Sequence, residues 1–65
     1  MTELTEQGRQ ARERVQERHP YADCVHESMT YVWRIIEDCF VLGTSLDNES
    51  SAWISAKEQM ERGEA

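Results

Sequence analysis

Two cysteines, one proline, three glycines and five aromatic side chains in 65 residues leave this chain short of most features by which a sequence announces its chemistry. Two cysteines are too few for a disulfide scaffold, and in a chain of this kind they read as reduced thiols. Basic side chains are also scarce, seven against thirteen acidic ones, for a net charge of −6 and a pI near 4.7. That balance argues against binding duplex DNA or an anionic membrane, both of which depend on basic surface. No apolar run approaches the roughly 20 residues of a membrane span, and Arg34, Glu37 and Asp38 cut through the most hydrophobic stretch. The opening MTELTEQGRQ has no basic-then-apolar leader pattern, so the expected location is cytoplasmic. Internal repeats, low-complexity tracts and interdomain linkers are lacking as well, which makes 1–65 a single domain.

Hydrophobic residues make up 38% of the chain and charged residues 31%, a polar balance, yet the apolar residues are clustered enough to predict folding. The densest cluster is YADCVHESMTYVWRIIEDCFVL, residues 21–42, bounded by Pro20 and Gly43. At 100° per residue its apolar side chains fall on an arc of about 200°, interrupted only by Ser28. The opposite side holds His26, Glu37, Thr30, Asp23, Arg34, Glu27 and Asp38, with Val41 the one apolar intruder. This pattern predicts one long helix over 21–42, started at Pro20 and closed by Gly43 in the left-handed conformation.

On either side the reading is also helical. Residues 2–18 predict a helix capped by Thr2 or Thr5, with acids in its first turn and a narrow seam of Leu4, Gly8, Ala11 and Val15. His19-Pro20 ends it, because proline disfavours helical backbone at the preceding residue. TSLDNESS is turn chemistry that offers Ser45, Asp47 or Asn48 as the cap of a third helix over 48–62, stopped by Gly63. The expected fold is therefore all-α: a small helical protein in which helices 2 and 3 form an antiparallel hairpin beside an N-terminal helix. A packed helix neighbour covers a stripe of a little over 100°, so an arc of about 200° leaves apolar surface for a second copy, and a homodimeric bundle is expected.

Three constellations carry candidate chemistry. Asp23, Cys24 and His26 are metal-ligand residue types; on a helix Asp23 and His26 at i,i+3 would present a carboxylate and an imidazole to one ion. The spacing fits no zinc motif, and a solvated polar pair is the plainer reading. Arg9, Arg12, Arg14 and Arg18 suggest an RNA-binding strip on the first helix of a hairpin dimer, but interleaved glutamates neutralise it and no aromatic lies among them to stack a base. Val32, Trp33, Ile35, Ile36 and Phe40, within or at the edge of the apolar arc, are the candidate interface residues. The expected function is non-enzymatic and needs no cofactor: a small acidic regulator or inhibitor that occupies the surface of a protein target, such as a phage or mobile-element antagonist of a host factor. A metal-binding helical protein and an RNA-binding dimer are the alternatives.

Overall fold

The computed structural model describes residues 4–63. They form α1 (Glu6–Arg18), β1 (Asp23–Glu27), β2 (Val32–Glu37), β3 (Phe40–Ser45) and α2 (Glu49–Glu61). Both terminal helices start where cap chemistry places them. The Gly8 amide donates to Thr5 Oγ1 at 3.0 Å, and the Ser51 amide donates to Asn48 Oδ1 at 2.8 Å, so each cap satisfies an amide that the first helical turn leaves open. Thr2, the other predicted cap of the first helix, lies outside the described residues. His19 closes α1 in a non-helical conformation ahead of Pro20, and Gly63, with φ 81°, follows α2 in the left-handed region.

The expected helix over 21–42 does not form, and with it fall the all-α class, the helix 2/helix 3 hairpin and the homodimeric helical bundle. The segment instead makes β1, β2 and the start of β3 of a three-stranded antiparallel sheet in the order β1-β2-β3. Its apolar arc was wide because it was not one stripe: alternate residues of a strand face opposite sides, and here both sides carry apolar residues. Valine, isoleucine and aromatic side chains in VWRII lose rotamer freedom in a helix and pack readily on a pleated surface. Chain reversals occur at residues 28–31 and 38–39, neither containing glycine or proline. Asp38 takes φ 56°, which aspartate tolerates better than most residues, and Tyr31 takes φ 59° while its amide donates to the Glu27 carbonyl at 2.8 Å.

Ile35 opposes Gly43 while Ile36 opposes Val41, so Leu42 is the extra residue of a β-bulge, and Leu42 and Gly43 both turn inward and are buried. Gly43 therefore closes no helix. It lets β3 approach α2 so closely that a Cβ there would stand 2.7 Å from Ala56 Cα. On another side of α2, a Cβ at Gly8 would stand 2.6 Å from Ser50 Cβ, and Ser50 Oγ accepts the Thr5 amide at 2.8 Å. Helix α2 is thus the hub: it packs on the sheet, and α1 packs on it. Trp53, Ala52 and Ala56 of α2 meet Ile35 and Leu42 of the sheet, Ala11 and Val15 of α1, and Ala22 in one core.

Candidate interaction surface

Because α2 takes one face of the sheet and α1 packs on α2, among the described residues the other face is left without a helix. Strand alternation and the registers place Val25 and Glu27 of β1, Val32, Arg34 and Ile36 of β2, and Val41 and Thr44 of β3 on that face. Val25 is 43% exposed and Val41 54%, with Val32 and Ile36 half-buried between them. Arg34 lies in the middle strand and forms an ion pair with Glu27 of β1; both side chains are about two-fifths exposed, so this pair orders the face without adding much stability. Asp23 stands exposed at the corner opposite Ile36.

The hairpin end is tied down by a single carboxylate. Glu37 Oε1 lies 2.9 Å from His19 Nδ1, and Glu37 Oε2 accepts the Tyr21 amide at 3.1 Å. Gln16 Nε2 adds a bond to the Ala22 carbonyl at 3.1 Å. Together these fix the α1–β1 connection against the end of β2, and so fix the tilt of the open face. Beyond the face itself, Met29 and Tyr31 project from the β1–β2 turn, and Phe40 and Leu46 stand exposed at the two ends of β3.

The candidate metal ligands are separated by the change of fold. In a strand, residues three apart lie on opposite faces, so Asp23 points away from the side shared by Cys24 and His26. The Asp23 carboxylate instead accepts the Cys24 amide at 2.8 Å, and the His26 ring stacks flat on Trp33 with centroids 3.9 Å apart and planes 3° from parallel. Burial, then the negative charges of Glu49 and Asp23, push the Cys24 thiol up to about 11, which keeps it protonated and a poor nucleophile or ligand near neutral pH. Among the described residues no three His, Cys, Asp or Glu side chains gather as a metal site would require. An open groove of about 400 Å³ between α1 and α2 is walled by Gln10, Glu13, Arg14, Glu17, Lys57 and Glu61, a polar, solvated lining.

The five candidate interface residues divide. Val32 and Ile36 lie on the open face, and Phe40 is exposed at its end. Trp33 is on the helix-covered side, half-buried under His26. Ile35 is 0% exposed inside the chain's own core and presents nothing to another molecule. Val25 and Val41 are not among the five: a helix puts Val25 inside the apolar arc and Val41 alone on its polar side, whereas V-x-E in β1 and V-x-R-x-I in β2 are period-2 signals that set Val25 beside Arg34. Among the described residues, no helix is long and apolar enough to cross a membrane. No protein-family model, curated protein or solved structure matches this chain.

Proposed function

We propose that this chain is a non-enzymatic interaction protein that acts by occupying the surface of another protein through the helix-free face of its sheet. The observation that supports it is the exposure of Val25 and Val41 beside half-buried Val32 and Ile36 on one contiguous face. An apolar strip with a polar rim is the anatomy of a protein-binding surface. The rim selects the partner's charge. Asp23 and Glu27 border the strip, Arg34 is already paired, and the whole chain carries −6. The partner that fits is a protein with an apolar patch bordered by basic or neutral groups, and a regulator or inhibitor would act by covering that patch. In this reading the protein works in the cytoplasm, away from duplex DNA and membrane, with Cys24 and Cys39 as thiols. Self-association belongs to a different surface, the β3 edge.

The test compares wild type with a Val25→Glu/Val41→Glu double variant. Both sites are exposed, so the variant should keep its circular dichroism spectrum and its stability to within about 1 kcal/mol. A partner crosslinked by wild type in extracts of the source cell, then purified and titrated, should bind the variant at least about tenfold more weakly. Equal binding by the two proteins would refute the assignment of the face. Loss of binding in Arg9→Glu/Arg14→Glu instead, with RNA in the captured material, would transfer the function to α1.

A further inference from the structure

We infer that a second copy of this chain adds to the free edge of β3, antiparallel and about a two-fold axis, to make one continuous six-stranded sheet. The proposal concerns the strand edge and does not rest on the foreign partner of the open face.

The two edges of the sheet differ in how they are guarded. β1 carries Asp23 and Glu27 at its ends and His26 beside Glu27, the charged and polar side chains by which proteins blunt an edge. β3, Phe-Val-Leu-Gly-Thr-Ser, carries no charge and no proline over six residues, and its one blunting feature is the bulge at Leu42, which a second copy meets with its own bulge. Among the described residues no strand pairs with the outer amides and carbonyls of β3, which are a template for another strand. Both edges carry exposed apolar side chains, and at β3 they stand with no charge among them: Phe40 is 69% exposed, Val41 54%, and Leu46, just past the strand, 72%. Pairing through the edge also leaves the Arg34–Glu27 ion pair in water, whereas stacking two open faces would bury it and lose more in desolvation than the pair returns.

The bulge selects the register. Val41 and Thr44 face the open side, while Phe40, Leu42, Gly43 and Ser45 face the helix side. Residues directly opposite in an antiparallel pair must share a face. Around a two-fold axis every residue meets this condition when the axis passes between Leu42 and Gly43. Phe40 then opposes Ser45 of the second copy, Val41 opposes Thr44, and Leu42 opposes Gly43. Moving the axis by half a residue sets Phe40 against Thr44, or Val41 against Ser45, on opposite faces. An isologous contact of this kind closes at two copies and leaves β1 as the outer edge on both sides.

Two properties of the dimer follow. A standard interface takes about 800 Å² from each partner, roughly a sixth of the 4673 Å² surface of this chain. One strand of about 20 Å with Phe40 and Leu46 at its ends supplies less than that, which places the pair among weak, transient associations that need high protein concentration. In the same register Asp38 of one copy approaches Asp47 of the other at both ends of the pair, so the dimer is weakened by like charges and tightens as salt screens them.

Sedimentation equilibrium of the full chain up to about 1 mM reads the mass directly, 7.6 kDa for one copy against twice that for the pair. The expected result is a rise toward the doubled mass that is larger at about 0.5 M than at about 0.05 M NaCl. Thr44→Lys, at an exposed position, should abolish the rise with the circular dichroism spectrum unchanged. In a Cys24→Ser/Cys39→Ser background, oxidised Val41→Cys/Thr44→Cys should yield a disulfide-linked dimer, because opposed residues lie within bridging distance. Either cysteine alone should not, since like positions are about 10 Å out of register along the strand. A monomer at all concentrations overturns the proposal, as does a dimer untouched by Thr44→Lys or linked equally by the single cysteines.

Discussion

Replacing Gly43 by alanine tests the central packing of the fold at one methyl group. The added Cβ would stand 2.7 Å from Ala56 Cα and 2.9 Å from Ala56 Cβ, where real contacts rarely fall below about 3.4 Å. These are helix atoms with no rotamer to change, so β3 and α2 must part by several tenths of an ångström along the seam that holds the sheet to its hub. Overpacking of this kind costs about 1–3 kcal/mol, and the backbone partners put Gly43→Ala at the upper end. A domain of this size has a total of about 3–5 kcal/mol, so the loss is half or more of its stability. Urea unfolding followed by tryptophan fluorescence measures it, since Trp53 lies in the same core. Gly63→Ala is the control: its Cβ meets nothing within 4 Å, and only the left-handed φ of 81° is strained, for about 1 kcal/mol. Ala56→Gly should partly rescue Gly43→Ala, giving a non-additive cycle. If Gly43→Ala costs no more than Gly63→Ala and shows no coupling to position 56, then Gly43 is an ordinary strand residue and the close seam does not exist.

Ile35→Asp should unfold the protein, because an unpaired carboxylate would sit at a position 0% exposed, while Ile36→Asp, half-buried and opposite Asp23, should cost about 1–2 kcal/mol and keep the spectrum; equal damage at both positions would contradict the strand alternation. Cys24, with its thiol pushed up to about 11, has roughly one thiolate in a thousand at pH 8, so its alkylation followed by mass spectrometry should gain about tenfold per pH unit up to that range, and a rate already saturated at pH 8 would refute its environment. The sign for folding is the same: the protonated thiol is favoured in the folded state, so this contribution is complete below pH 9.0 and is lost as pH rises toward about 11. Glu37→Ala removes the bonds to His19 and to the Tyr21 amide and should lower stability by about 1–3 kcal/mol, with faster hydrogen exchange at Tyr21 and Ala22; unchanged exchange there would show that the clamp is idle.

Both helices were legible because their ends are written in local chemistry. Thr5 and Asn48 supply cap oxygens, His19-Pro20 blocks continuation, and Gly63 accepts the left-handed turn. The middle was not, because its two reversals lack the residues that usually mark hairpins. Asp38 alone of the turn residues suits a positive φ, and Tyr31 takes one with no sequence signal at all. Gly43, the residue most readily read as a helix stop, serves a close approach that depends on Ala56, thirteen positions away, and no local reading could supply that partner. Val32 and Ile36, named as interface candidates for their hydrophobicity, lie on the open face and Phe40 does not, while Ile35 was placed with them because a helix would turn it only 100° from Ile36, where a strand turns it to the opposite side. Val41, the residue that failed to fit the helical arrangement, is an exposed member of the open face. That misfit was the clearest sign that the period was wrong.

The excess of apolar surface inferred from the sequence survives the change of fold, for a reason that lies in the architecture. A sheet has two faces and this chain brings one helix to one of them, while α1 packs on that helix instead of crossing to the far side. The commitment is built into α2, whose small residues Ser50 and Ala56 each meet a glycine, one from α1 and one from β3. A helix embraced so closely on two sides draws both of its neighbours to itself, and Val25, Val32, Ile36 and Val41 are left facing solvent. Burying one such side chain fully is worth about 1.5–3 kcal/mol, comparable to much of the stability of a domain this small. On the proposed function, a bound partner that covers several of them would therefore stabilise the fold as well as occupy it, so stability and binding would be linked through the same four side chains.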